Sequence, residues 1–262
     1  TETGFVFVVV LFCISLLLSP DISAQAQVTA ARIEAPVETP ALVAVTYTAP
    51  AENPPATLVL RFAYQSAKLE ALEVIPTSLA GDSQKTFDYE LKDGAIAIAV
   101  FGGTEPVPSG ILAYLKMQAK PVAQVGNVLS ILNSTTHGAD STAAYVAVQV
   151  TSGNVRVIET QEKHVADTEP DWSISLEELL RVIQLYAAGE YHCDPAGEDG
   201  YAPGAGTQDC SVHDADYAPA DWHISFSELL RMIQLYNSPF RIYRVDPDSE
   251  DGFAPGPIGF TP

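Results

Sequence analysis

Residues 171–186, DWSISLEELLRVIQLY, return as DWHISFSELLRMIQLY at residues 221–236, with twelve of sixteen positions identical. A second echo follows each copy: YHCDPAGEDGYAPG from Tyr191 and YRVDPDSEDGFAPG from Tyr243. The chain therefore carries twice a unit of about 50 residues, built of a loop, a helix and an acidic Gly/Pro-rich tail. One such unit has an apolar helix face and nothing to set it against, whereas two can cover each other. The repeat predicts a small α module over residues 159–262, with Leu179, Leu180, Val182, Ile183 and Leu185, and their counterparts Leu229, Leu230, Met232, Ile233 and Leu235, as its core. Arg181, Gln184, Arg231 and Gln234 recur on the opposite face, which serves either as a docking surface or as a solvated face.

Charge divides the chain at the same place. The 262 residues hold 33 acidic and 13 basic side chains, a net charge of −20. That excludes a nucleic-acid binder, which needs a basic footprint, and an anionic membrane surface as partner. From residue 159 onward there are 20 acidic and 5 basic residues, against 13 and 8 before it.

The earlier part reads as β-structure. Segments 44–48, 57–62, 87–91, 95–101 and 144–150 have strand composition, and turn signals such as Lys92-Asp93-Gly94 and Ser152-Gly153-Asn154 separate them. Short strands at this spacing predict a Greek-key or jelly-roll β-sandwich over residues 27–158, so the fold class is mainly β plus a small α module.

At the N-terminus, residues 5–18 form an apolar run too short for a comfortable bilayer span. With Pro20 and the Ala24-Gln25-Ala26 motif it reads as a secretory signal over residues 1–26, its start truncated. A retained helix, as in pilin-like filament subunits, is the rival reading. Either way the mature protein is secreted or held at the cell surface, with no stable membrane span. In that setting Cys193 and Cys210 are an even pair. They form a disulfide, remain free thiols, or join His192 and His213 in a zinc site.

The loop before the first helix, from Asp167, reads D-T-E-P-D-W-S-I-S-L-E-E. Oxygen-bearing side chains fall at the alternate places where an EF-hand sets its calcium ligands, because calcium takes six to eight hard oxygens and alternate residues of a tight loop can point inward together. The same residues also fit a simpler reading. Ser175 with Glu178, and Ser225 with Glu228, are capping boxes that satisfy free N–H groups at a helix start.

These motifs carry two resemblances. The order TLVLRFAY, LEALEVIP, FDYELKDGAIAIAVFGG, PSGILAYLKMQAK and AAYVAVQVTSGNVRV resembles the cohesin-like β-sandwich shared by cellulosomal cohesins and a superfamily of carbohydrate-binding modules, with an immunoglobulin-like module as runner-up. The tandem loop-helix units look like divergent dockerins, the EF-hand-like calcium-binding plugs that dock into cohesins. That resemblance implies one or two Ca2+ ions, with Asp167, Glu169, Asp171, Ser175 and Glu178 as ligands in the first loop and Asp214, Asp216, Asp221, Ser225 and Glu228 in the second. Calcium is then expected to raise the melting temperature of the module. Four features depart from the pattern. Trp172 and Trp222 stand where the sharp turn wants Gly, a Trp at positive φ being strained; the last ligand is Glu where dockerins usually carry Asp; the repeat spacing is longer than a typical dockerin's; and the second loop has one extra residue.

No G-x-S-x-G, H-E-x-x-H or phosphate-binding Gly loop is present, and His137, His164, His192, His213 and His223 have no nucleophile partner in the sequence, so no enzyme is expected. Asn133-Ser134-Thr135 matches a glycosylation sequon. The expected function is that of a non-catalytic exported assembly or attachment protein. It would act by plug-and-socket docking with a protein partner, or with further copies of itself in head-to-tail extracellular filaments. Arg61, Lys68, Lys85, Lys92, Lys116 and Lys120 of the sandwich would meet the acidic loops. A carbohydrate-binding accessory module of a polysaccharide-degrading system is the alternative.

Overall fold

The computed structural model describes residues 25–79 and 84–260. The apolar run at residues 5–18 lies outside them. Among the described residues no helix is long and apolar enough to cross a membrane.

Two sheets face each other. One has the order β11 (Val148–Thr151), β1 (Ala26–Ala30), β3 (Pro40–Thr48), β8 (Gly110–Ala119) and β5 (Leu69–Pro76). The other runs β2 (Arg32–Ala35), β12 (Gly153–Val157), β9 (Val128–Ala139), β4 (Thr57–Tyr64), β7 (Ala95–Phe101) and β6 (Thr86–Lys92), with β10 (Tyr145–Val146) beside β9 as a seventh strand. Period-2 alternation decides the faces. Leu58, Leu60 and Phe62 of β4 and Ile96, Ile98 and Val100 of β7 point into the core. Their neighbours Val59, Arg61, Ala95, Ala97 and Ala99 therefore point out.

The first and last strands of the sandwich each serve both sheets. β1 pairs in parallel with β11, and after Ala31 the chain crosses so that β2 pairs in parallel with β12. The crossings touch at Gly153, where an added Cβ would lie 2.4 Å from the Ala31 carbonyl, so only glycine fits. Lys85 is not a surface cation: it is buried, and its ammonium donates to the carbonyls of Ala56, Gly102 and Glu105. Burial away from water lowers its pKa. Lys68 is likewise engaged, donating to Asn127 Oδ1 at 2.9 Å.

Beyond the sandwich come two loop–helix–hairpin units. The first has helix α1 (Leu176–Ala188) and hairpin β13 (Tyr191–Cys193) with β14 (Tyr201–Pro203); the second has α2 (Phe226–Tyr236) and β15 (Tyr243–Val245) with β16 (Phe253–Pro255). Both helices start with a complete capping box, Ser175 with Glu178 and Ser225 with Glu228. Leu179, Val182 and Leu185 meet Leu229, Met232 and Leu235 in one core, together with Trp172, Tyr191 and Tyr243. Leu180 and Leu230, expected in that core, are exposed instead, because they sit beyond the edge of the apolar stripe.

The chain then returns to the sandwich. Ile258 pairs in parallel with Ala41, and its carbonyl accepts the Leu42 N–H at 2.7 Å, taking up the edge of β3 that β1 leaves when the chain crosses sheets. Gly259 permits this approach, since a Cβ there would stand 2.2 Å from the Leu42 carbonyl. Nearby, Phe240, Phe260 and Tyr114 of β8 form a cluster with ring centroids 5.4 to 6.5 Å apart. Leu42 and Tyr114 point away from the sandwich core yet are buried, because this returning segment covers them.

Candidate docking site and the repeat loops

The loops are closed by their own backbone. In the first, Asp167 Oδ1 accepts the Asp171 N–H at 3.1 Å and Oδ2 accepts the Trp172 N–H at 3.0 Å. Glu178 Oε1 accepts the N–H groups of Thr168 and Glu169 at 2.7 and 3.1 Å, and Oε2 accepts that of Ser175 at 2.8 Å. The second loop repeats the scheme. Asp216 accepts from Asp221 and Trp222 at 3.0 and 2.7 Å, and Glu228 accepts from Tyr217, Ala218 and Ser225 at 2.9, 2.8 and 2.7 Å. Ser175 and Ser225 spend their hydroxyls on the helix N-termini, accepting from Glu178 and Glu228.

This resolves the extra residue. Asp216 occupies the place of Asp167, and the insertion falls between Asp216 and Trp222. Asp214 then corresponds to Val165, outside the loop, and the two equivalent positions meet: Asp214 Oδ2 accepts the Val165 N–H at 2.7 Å. Both tryptophans adopt the left-handed conformation that the loop turn demands, each with φ of 68°. A non-glycine residue there costs roughly 1–2 kcal/mol, which Trp172 offsets by complete burial in the module core.

Each loop is also latched by the other unit. Tyr243, from the second tail, donates its hydroxyl to Asp167 Oδ2 at 2.7 Å and accepts the His164 N–H at 3.0 Å. Tyr191, from the first tail, donates to Asp216 Oδ2 at 2.7 Å and accepts the His213 N–H at 3.0 Å. Asp167 is pushed up by burial, which outweighs the hydrogen bonds from Tyr243 and the loop backbone. His164 and His213 meet between the units with ring centroids 5.8 Å apart. Each Nδ1 accepts a backbone N–H, from Ala166 and Ala215, so the proton of the neutral ring sits on Nε2, which has no hydrogen-bond partner among the described residues. Burial pushes both rings down, His164 well below the ordinary range and His213 to about 4.

These residues do not fit a calcium cage. The oxygens that a cation would draw on, those of Asp167, Glu178, Asp216 and Glu228, are already engaged as acceptors for the loop's own N–H groups. The other expected ligands face outward: Glu169, Asp171 and Asp221 are exposed, and Asp171 and Asp221 accept the N–H groups of Ser173 and His223. Among the described residues no three His, Cys, Asp or Glu side chains stand together as a metal site requires.

Arg181 and Arg231 belong to the fold. Arg181 pairs with Asp199 at 3.2 Å and donates to the Tyr201 carbonyl, and Arg231 pairs with Asp251 at 2.9 Å and donates to that of Phe253. Gln184 and Gln234 accept from these guanidiniums. The exposed repeated pairs are apolar: Leu176 with Leu180, and Phe226 with Leu230. Cys193 and Cys210 form a disulfide with Cα atoms 6.0 Å apart, which leaves neither for zinc.

On the sandwich, the outer face of the seven-stranded sheet holds two shallow depressions. Ala63, Tyr64, Val128 and Leu132 line one, and Arg61, Lys92, Ala97 and Ser134 line the other. Val128 and Leu132 are more than half exposed, at 57% and 53%. Composition alone did not single out this patch; the outward parity of β9 could have.

No family model matches the sequence, and no curated protein does. Solved structures similar to the chain include the sixth cohesin of Acetivibrio cellulolyticus scaffoldin B, in complex with a mutant Cel5 dockerin, at 21% identity over 51% of this chain and 99% of that one, with a TM-score of 0.46. A non-cellulosomal cohesin from Archaeoglobus fulgidus is similar at 21% identity over 52% and 93%, with a TM-score of 0.45.

Proposed function

We propose that this chain is a non-catalytic, exported docking protein whose seven-stranded sheet receives a protein partner on its outer face. The observation that carries the reading is the contrast between the two sheets. On the five-stranded sheet the chain's own returning segment covers the outer positions Leu42 and Tyr114, while on the seven-stranded sheet Val128 and Leu132 stand exposed. Exposed apolar side chains grouped on one face mark interaction surfaces.

The partner of matching chemistry is the C-terminal module of another copy. It presents Leu176, Leu180, Phe226 and Leu230 on an acidic unit, and the sheet sets Arg61 beside its depressions, where Lys92 is paired with Glu90 at 2.8 Å. Contact of this kind joins two different surfaces, so it propagates head to tail. Sedimentation velocity across a concentration series tests it. Association is expected for the native chain, weakened by salt and lost in Leu132→Asp and in Phe226→Asp. A native chain that stays monomeric throughout sinks self-docking.

Polysaccharide binding by the sandwich is the second reading. It rests on Tyr145, 70% exposed beside His137, and on Tyr89, 43% exposed. Glycan-array binding that is lost on replacing those tyrosines, and kept in Leu132→Asp, would favour it over docking.

A further inference from the structure

We propose that the two repeat loops are held shut without a cation: the carboxylates of Asp167 with Glu178, and of Asp216 with Glu228, serve as internal anions for the loop N–H groups, and a tyrosine hydroxyl from the opposite unit closes each loop. The direction of the hydrogen bonds decides this. Five backbone N–H groups converge on the carboxylates of the first loop, those of Thr168, Glu169 and Ser175 on Glu178 and those of Asp171 and Trp172 on Asp167. Five converge in the second, those of Tyr217, Ala218 and Ser225 on Glu228 and those of Asp221 and Trp222 on Asp216.

A loop lined by N–H groups presents positive potential to its interior, which suits an anion and repels a cation. The anion is covalently supplied. Glu178 Oε1 takes two backbone N–H groups and the Thr168 hydroxyl, so its lone-pair directions are used. Asp167 Oδ2 takes the Trp172 N–H and the Tyr243 hydroxyl, and Asp216 Oδ2 takes the Trp222 N–H and the Tyr191 hydroxyl. To coordinate calcium, Asp167 Oδ2 and Asp216 Oδ2 would have to release the tyrosine hydroxyls, which are buried and would then have no partner. Closure of each loop is therefore coupled to seating of the opposite tail, and the two units hold each other in the state a metal would otherwise impose.

The experiment uses the full chain. Isothermal titration of calcium chloride into chelator-treated protein, with thermal melts followed by tryptophan fluorescence in calcium and in chelator, gives two readouts. The expected result is no saturable calcium uptake and coincident melts. Tyr191→Phe with Tyr243→Phe should lower the melting temperature equally in both media. Saturable binding with one or two ions per chain, or a melt raised by calcium in the native protein, overturns the proposal whether or not the double variant folds. Docking through the seven-stranded sheet is read separately by sedimentation in chelator, so the two ideas fail independently.

Discussion

The rings of Trp172 and Tyr243 lie 5.5 Å apart, and the Trp172 carbonyl accepts the Tyr243 N–H at 3.0 Å. A residue in the left-handed conformation is thus clamped by a strand that begins seventy-one positions later. Trp222 and Tyr191 repeat the relationship at 5.1 Å and 3.3 Å. The strained turn is stable because the opposite unit holds both its carbonyl and its ring.

Glycine at the two turns should separate strain from packing. Gly relieves roughly 1–2 kcal/mol of left-handed strain, while truncating a buried Trp costs about 3–5 kcal/mol. Trp172 is 2% exposed, so Trp172→Gly should be destabilising by about 2 kcal/mol in urea unfolding. Trp222 is half-buried, and Trp222→Gly should lie near neutral. Equal losses at both positions would show that burial does not set the difference.

Acid should weaken the C-terminal module through its paired histidines. His164 and His213 are depressed in the fold by burial, and Asp199 raises His213 only in part. Above the unfolded pKa of about 6.5 both states hold neutral rings and this stabilisation is complete. As pH falls from there toward about 4, the unfolded chain takes up protons that the fold refuses, and stability drops. Asp167 and Asp214, pushed up by burial, act in the opposite sense nearer their own range. The loss should therefore be steepest in the upper part of that window, and His164→Gln with His213→Gln should flatten it. A flat stability profile through that window in the native chain would sink the idea.

Reduction should act on the C-terminal module alone. The Cys193–Cys210 bridge spans a sequence separation of 17 and ties the first hairpin to the start of the second unit. Opening a loop of that length costs about 3 kcal/mol in the chain-entropy model. Calorimetry with and without reductant should show a lowered transition for the repeats and an unchanged one for the sandwich. A sandwich transition that moves equally would show that the effect is not local.

Removing the aromatic cluster should uncouple the two halves. Phe240→Ala with Phe260→Ala takes away the rings packed on Tyr114. The calorimetric transitions of sandwich and repeats should separate further, and limited proteolysis should open the segment before residue 260 first. Unchanged protection would place the coupling in the Ile258–Leu42 hydrogen bond instead.

Much of this was open to reading in the sequence. Alternation in residues 57–62 and 95–101 gives β4 and β7, and the Ser-x-x-Glu pairs give both helix starts, because each signal is local. The carboxylates were legible as a loop pattern but not their use. Whether Glu178 turns toward a cation or toward Thr168 N–H depends on the loop's closed shape, which the spacing of oxygens does not encode. The pairing of Tyr243 with Asp167 was hidden for a different reason: the repeat assigns each tail to its own unit, and although Arg181 and Arg231 do hold each tail to its own helix, the fold exchanges the tyrosines that begin them.

That exchange imposes a parity. Each unit supplies one tyrosine and needs one, and the one it needs always comes from its neighbour. A third copy added in tandem would leave a buried aspartate without its hydroxyl and a tyrosine without its acceptor, so arrays of this unit can grow by pairs and not by single steps.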